Sequence, residues 1–367
     1  MKNTFGNLLQ ITLFGESHGA AIGCVIDGLP AGIAIDEDLI KKQMEKRKAK
    51  GRISTQRHEA DEVHIVSGYF NGYTTGTPIT ILIENTNTRS KDYTKTRYRL
   101  RPSHADYCAE VKYNGYQDYR GGGHFSGRLT APLVAAGAIA IQILKQKGIE
   151  IATHIENLHG ICDTPFHHEE TMLTQQINKL HELEFAVLDD NAAQAMHSCI
   201  EDAAKQGDSV GGILESCIYN LPCGIGEPFF DSLESHLSHL LFSIPAIKGV
   251  SFGLGFDFAK HYGSEVNDAL YFDTKVKTKT NNNGGINGGI SNGMPILIHT
   301  VVKPTPSIYK QQDTIDAKTK EAVKLVIEGR HDPAIIHRAR VVVDSVLALG
   351  VLDLLLEKKQ LHIYKKR

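Results

Sequence analysis

Apolar residues come in short blocks over the first third of the chain. Those at 8–13 and 21–26 predict strands on either side of a turn-like segment, Gly15-Glu16-Ser17-His18-Gly19. Asp36 is placed to cap a helix over about 37–50, whose C-terminal end gathers basic residues where the helix dipole favours cations. Blocks at 63–70 and 78–84 flank Asn71-Gly72, a hairpin signal. Residues 85–129 then lose apolar periodicity and fill with Arg, Lys, Tyr, His and Gly; long loops of that kind in compact proteins are functional or disordered. A helix over 130–147 follows, with Pro132 near its start and Gly148 just past its end. Strands at 149–155, 212–219 and 249–255 alternate with polar helices at about 170–182 and 192–205. A second glycine-rich loop covers 281–289, and helices over about 318–328 and 338–359 close the chain. Without a Pro/Ser linker or a solenoid-period repeat, residues 1–367 read as a single α+β domain.

Composition excludes wholesale disorder, since 41% of the 367 residues are hydrophobic and only 22% charged. The richest apolar candidate, 341–356, is interrupted by Asp344 and Asp353, so no membrane helix is expected. Asn7, Gln10 and Glu16 spoil a signal-peptide core. Six scattered cysteines without a C-x-x-C pair fit reduced thiols in a cytoplasmic protein, and no metal-ligand spacing occurs.

Charge changes the picture more. Residues 41–57 carry eight cations and one anion, and 89–101 carry six against one, in a chain whose net charge is only -2. Such segregation marks an anion site, because like charges are held together against a ligand. Tyr93 and Tyr98 interleave with the second cluster, which makes single-stranded nucleic acid a rival. Against it, the acidic remainder would repel a long polyanion and no nucleic-acid-binding signature is visible, so a small phosphorylated metabolite is preferred.

Arg120-Gly121-Gly122-Gly123-His124-Phe125-Ser126-Gly127-Arg128 runs into the helix at Thr130, a place where backbone N–H groups can cradle phosphate. It lacks the Gly-Lys-Ser/Thr ending of a nucleotide-binding P-loop. Three acid–base candidates stand in suggestive settings: His18 beside Ser17, His104 after Arg101-Pro102-Ser103, and Asp332 within Gly329-Arg330-His331-Asp332-Pro333. Ser17 with His18 suggests a hydrolase pair, but the G-x-S-x-G elbow is missing. The residues by themselves point to an enzyme acting on a small phosphorylated anion with histidine acid–base help.

Seven segments in order resemble the chorismate synthase family. They are Phe14-Gly15-Glu16-Ser17-His18-Gly19, Arg101-Pro102-Ser103-His104-Ala105-Asp106, Tyr119-Arg120-Gly121-Gly122-Gly123, Pro245-Ala246-Ile247-Lys248-Gly249, Gly284-Gly285-Ile286-Asn287-Gly288-Gly289-Ile290-Ser291, Lys303-Pro304-Thr305, and Gly329-Arg330-His331-Asp332-Pro333. The resemblance implies an α+β sandwich of helices between antiparallel sheets, assembled as a homotetramer. It implies conversion of 5-enolpyruvylshikimate 3-phosphate to chorismate by 1,4-anti elimination of phosphate with reduced FMN. By the same resemblance, His18 lies near the leaving phosphate and Ser17 near the flavin, His104 donates a proton toward the flavin, and Asp332 steers proton traffic. Matching FMN-contact positions are His124, Phe125, Ser126, Pro245, Ala246, Gly288, Lys303, Pro304, Thr305, Pro306, Ser307 and Arg330. Arg47, Arg52, Arg101, Arg128 and Arg338 match the substrate's anion ligands, and Lys46 falls in a stretch the family links to substrate or NADP. Two departures stand out: the family's Arg-Arg-Arg-Pro-Gly reads Glu45-Lys46-Arg47-Lys48-Ala49, and its Arg-Ser-Ser reads His124-Phe125-Ser126. With no G-x-G-x-x-G fingerprint, an external flavin reductase is expected to supply the reduced cofactor.

Overall fold

The structure is a computed structural model that describes residues 2–49, 51, 53–54, 60–86, 97–327, 329 and 331–361, the last three by backbone only. Arg52 and Arg330, together with Lys50, Arg57, Arg89, Lys91, Tyr93 and Lys95 of the basic stretches, lie outside the described residues.

In the first sheet, β1 (Thr4–Phe5), β2 (Gln10–Gly15) and β3 (Ala21–Asp27) form an antiparallel meander. Helix α1 (Glu37–Arg47) starts where Asp36 accepts a hydrogen bond from the Leu39 N–H at 2.9 Å. β4 (His64–Ser67) leads into a small hairpin, β5 (Tyr69–Phe70) and β6 (Tyr73–Thr74), before β7 (Ile79–Glu84) returns between β3 and β4. The two-residue turn of that hairpin is Asn71-Gly72, with φ of 50° and 86° at its two positions, the left-handed pair such turns require. Ile22, Cys24 and Ile26 of β3 and Ile79, Ile81 and Ile83 of β7 are buried at every second position, which turns one face of the sheet inward.

Beyond α2 (Asp106–Tyr113) comes the long helix α3 (Thr130–Lys145). The second sheet follows: β8 (Glu150–Leu158), β9 (Ile161–Cys162), helices α4 (Glu170–Glu182) and α5 (Asp190–Lys205), then β10 (Gly212–Tyr219), α6 (Leu233–Leu241) and β11 (Ile247–Phe252). The short α7 (Gly263–Val266) precedes ribbons β12 (Leu270–Asp273) with β13 (Lys275–Thr278), and β14 (Ile286–Asn287) with β15 (Ile290–Ser291). β16 (Ile296–Val302) completes the sheet in the order β11-β16-β10-β8-β9, all antiparallel. The ribbon β17 (Gln312–Ile315) and β18 (Ala322–Leu325) precedes the last helix, α8 (Ile336–Leu361).

Helices α3 and α8 lie together between the sheets, α3 against β3, β7 and β8, and α8 against β8 and β10. Both are apolar on nearly every side, as burial all round demands. They approach so closely that a Cβ on Gly137 would lie 2.2 Å from Ser345 Cβ. The expected sandwich is therefore observed. One expectation needs amending: the segment Gly127–Lys145 is long and apolar enough to cross a membrane by length and composition, but most of it is buried by α1, α8 and the sheets.

The helix expected at 318–328 is instead the β17–β18 ribbon. Asp316 accepts hydrogen bonds from the N–H groups of Lys318 (2.9 Å) and Thr319 (3.2 Å), and Lys320 adopts a φ of 63°. That side-chain turn reverses the chain and overrides the helix-favouring composition of the stretch. Helices α2 and α6 and strand β16 went unforeseen.

Candidate active site

The turn after β2 buries Ser17 and His18. The Ser17 N–H donates to the Gly123 carbonyl at 3.1 Å, and its hydroxyl donates to the Arg120 carbonyl at 3.3 Å. The same hydroxyl oxygen lies 3.2 Å from the ring Nδ1 of His18. The triple glycine is needed here: Gly121 has a φ of 60°, and a Cβ on it would sit 2.1 Å from His18 Cε1. His124 donates from Nδ1 to the Gly15 carbonyl at 2.8 Å, tying the loop to β2. Phe125 packs edge-on against Tyr113 with centroids 6.1 Å apart. Ser126 caps the turn by accepting from the Arg128 N–H at 3.2 Å.

The arginines form a second layer. Arg47 and Arg128 are buried and share the carboxylate of Asp61: Arg47 Nη1 donates to Oδ2 at 2.8 Å, and Arg128 Nη1 donates to Oδ1. Arg47 also donates from Nε to Thr130 Oγ1 at 3.0 Å, and Arg128 from Nε to Asn85 Oδ1 at 3.0 Å. Asn85 in turn donates to the carbonyls of Glu16 and Gly19, both at 3.0 Å, which links the arginines to the His18 turn. Arg338 donates to the Arg47 carbonyl (2.9 Å) and to Asp332 Oδ2 (2.7 Å).

A third group surrounds His104. Arg101 grips Asp106 with two bonds, at 2.8 and 2.6 Å. His104 Nε2 lies 2.8 Å from the Ser307 hydroxyl, and Lys303 Nζ donates to the Ser103 carbonyl at 2.9 Å. Burial first, then the charges of Arg101, Lys303 and His331, push the His104 pKa down to about 4, with Asp106 opposing. Burial and the nearby Lys248 lower the Lys303 pKa. The Lys303 N–H donates to the Ala246 carbonyl at 3.0 Å, and Ala246 itself, next to half-buried Pro245, has a φ of 78°. Pro304 is exposed, Pro306 is half-buried, and the Thr305 hydroxyl is buried without a hydrogen-bond partner. His331 donates to the Ile327 carbonyl at 2.9 Å, packs on Tyr309 and acts on His104 through its charge, while Asp332 joins the arginines through Arg338.

Lys46 donates to the His181 carbonyl at 2.9 Å, away from the shared carboxylate, and Gly288 lies exposed in the second glycine-rich loop. That loop is pinned by Asp268, which accepts from the N–H groups of Asn282 (2.8 Å) and Asn283 (2.9 Å) and from the Asn283 amide (2.9 Å). Sequence reasoning missed Asp61 and Asn85. The available signal was an acidic residue, Asp61, just after a cation-rich stretch.

The family model described as Chorismate synthase matches residues 9–356. A chorismate synthase of Pyrococcus abyssi is 46% identical over 355 residues, covering 96% of this chain and 98% of its own length. One of Chitinophaga pinensis is 46% identical over 364 residues, covering 99% of each. A crystal structure of a chorismate synthase superposes with a TM-score of 0.75 at 27% identity, covering 96% of this chain and 93% of the other. With the His18 turn, the glycine loop and the His104 loop all present in family order, this chain belongs to the chorismate synthase family.

Proposed function

We propose that this chain, acting as a single domain, converts 5-enolpyruvylshikimate 3-phosphate to chorismate and phosphate by 1,4-anti elimination with reduced FMN. The observation that carries the reading is the connected set of cations and proton carriers: Arg47 and Arg128 joined by Asp61, linked through Asn85 to the His18 turn and through the Arg47 carbonyl to Arg338 and Asp332, together with a histidine set among Arg101 and Lys303. Cations in that number suit a substrate with one phosphate and two carboxylates.

The residues also fit a flavin phosphate. The partnerless Thr305 hydroxyl and the Lys303 ammonium share one loop with Ser307, the partner of His104. Lys303, Thr305, Ser307, Ala246 and His124 to Ser126 would hold the cofactor. When bound, reduced FMN supplies electron density that helps an allylic phosphate depart. His18, with Nδ1 turned to Ser17 Oγ at 3.2 Å, is the histidine that would meet the departing phosphate. His104 is neutral near pH 7 because burial and the nearby cations outweigh Asp106, and an arriving anion raises its proton affinity, which readies Nε2 and the Ser307 hydroxyl to carry a proton. Asp332, oriented by the Arg338 Nη1 that donates to its Oδ2 at 2.7 Å, is the carboxylate that would pass a proton on.

The same reading includes a cytoplasmic location, an external flavin reductase, and a homotetramer. Phe229, Phe230 and Phe256, 87–92% exposed, offer apolar surface for self-association. Anaerobic incubation with chemically reduced FMN and substrate tests the reaction: chorismate should accumulate with no flavin consumed in proportion. Absence of chorismate, or oxidation of one flavin per product, overturns the reading. Chorismate formed from NADPH and oxidised FMN, without a reductase, would sink the reductase requirement alone.

A further inference from the structure

Asp61 accepts hydrogen bonds from two arginines with different oxygens, Oδ2 from Arg47 Nη1 at 2.8 Å and Oδ1 from Arg128 Nη1. Its side chain is 2% exposed, and those of Arg47 and Arg128 are 7% and 6% exposed, so the three charges meet almost out of water. The backbone at Asp61 is left-handed, with a φ of 49°, a conformation aspartate tolerates better than most residues.

Both guanidinium groups are aimed by neutral acceptors as well. Arg47 is held by Thr130 Oγ1 (3.0 Å) and the carbonyls of Gly127 (3.2 Å) and Arg128 (3.4 Å). Arg128 is held by Asn85 Oδ1 (3.0 Å) and the Glu84 carbonyl (3.3 Å). These contacts come from the start of α3 and the end of β7, two of the best-packed elements. They fix the direction of the two forks without any help from Asp61. What Asp61 adds is negative charge, delivered to the N–H groups that a phosphate or carboxylate oxygen would also use.

We propose that Asp61 is a positioning residue that acts through Arg47 and Arg128 and sets how tightly they take an anion. It is the resident carboxylate with which an incoming phosphate or carboxylate competes. The inference rests on the reading that these arginines serve an anionic substrate, and it deepens that reading. A resident anion lowers the positive potential of the pair, keeps the pair ordered before a ligand arrives, and re-pairs with the guanidinium groups as a product anion leaves. An enzyme that releases inorganic phosphate in each turnover needs such a brake, because an uncompensated buried arginine pair would retain its product.

The test measures inorganic phosphate binding by calorimetry, using the full chain without flavin, at constant ionic strength. Asp61→Asn keeps the size of the side chain and removes its charge, and should tighten phosphate binding by roughly 10-fold or more. Asp61→Glu keeps the charge and should remain near the wild type. Asp61→Ser provides a second neutral side chain and should behave as Asp61→Asn does. In turnover, Asp61→Asn should show stronger product inhibition by phosphate and a lower kcat without a raised KM. Equal phosphate affinity in wild type and Asp61→Asn overturns the proposal, as does an equal change in Asp61→Asn and Asp61→Glu. Failure of both neutral variants to fold would make Asp61 a structural counter-ion and overturn it too. A wild-type chain that makes no chorismate, while its variants bind phosphate as expected, sinks the functional reading alone.

Discussion

In the candidate active site, His104 stands among Arg101, Lys303 and His331, with its ring nitrogen on the Ser307 hydroxyl, and its pKa is pushed down to about 4. On the outer face of the second sheet, His154 is fully buried between Asp163 Oδ2 at 2.7 Å and Glu215 Oε2 at 2.8 Å, and these carboxylates outweigh burial and raise its pKa to about 9. The two carboxylates are themselves satisfied. Asp163 accepts from the N–H groups of Leu188 and Asp189, and Glu215 accepts from that of Phe166. His299 continues the row across β16 and pairs with Glu156 at 2.8 Å. Both ring nitrogens of His154 are closed by protein groups, leaving nothing for a ligand. The His104 group has an excess of cations, and the nearby carboxylate of Asp106 is gripped by Arg101. A perturbed histidine marks a binding site when its surroundings are unbalanced in charge, and a structural joint when they are closed.

The largest effect should come from His104→Ala. Loss of a positioned proton carrier lowers kcat by roughly 10²–10⁴-fold, with a smaller change in KM and nearly the same thermal midpoint. Unchanged kcat would remove His104 from the chemistry. Asp163→Ala should do the opposite. Stripping one partner from a buried pair costs about 3–5 kcal/mol of stability, measured by denaturant unfolding, while kcat per folded molecule is retained. A collapse of kcat in protein shown to be folded would end the contrast between the regions.

The pH dependence separates the same two histidines. The folded pKa of His154 lies above the unfolded value of 6.5, so its contribution is fully present below pH 6.5 and is lost as pH rises through about 9. That loss is roughly 3 kcal/mol. The folded pKa of His104 lies below 6.5, so the unfolded chain binds its proton first and stability falls as pH drops from 6.5 toward 4. His154→Gln should flatten the alkaline limb only, and His104→Gln should soften the acid limb only. If either variant flattens the other limb, the assignment of the two environments is wrong.

Much of this was legible in the sequence where the signal is local. Asp36 and the basic end of α1, Pro132 and Gly148 around α3, and Asn71-Gly72 each act through neighbours along the chain, and each element formed where expected. The β17–β18 ribbon was misread because its turn depends on one side chain, Asp316, while its composition favours a helix. In the site, the motifs located His18, His104 and the glycine loop. They could not reveal Asp61 or Asn85, whose roles lie in contacts made across dozens of residues of chain. Lys46 enters because the family resemblance links its stretch to substrate or NADP, and sequence adjacency to Arg47 does not tell which way each side chain points.

Adjacent residues on a helix point about 100° apart, since a turn takes 3.6 residues. Arg47 therefore faces Thr130 and Asp61, while Lys46 faces α4 and α8, donating to the His181 carbonyl at 2.9 Å. Burial, Arg340 and Lys42 lower the Lys46 pKa to about 8 against the pull of Asp344 and Glu182. The hydrogen bond of Lys46 thus runs to α4 rather than to the shared carboxylate. Lys46→Gln should leave the substrate KM within about twofold of wild type, the size of change expected away from a binding site. Arg47→Gln, which removes a cation bonded to the shared carboxylate, should raise KM by at least about tenfold, as loss of a charged hydrogen-bond donor implies. Steady-state kinetics on the two single variants reads the difference directly, and a Lys46→Gln enzyme with a KM raised as far as that of Arg47→Gln would return Lys46 to the anion site.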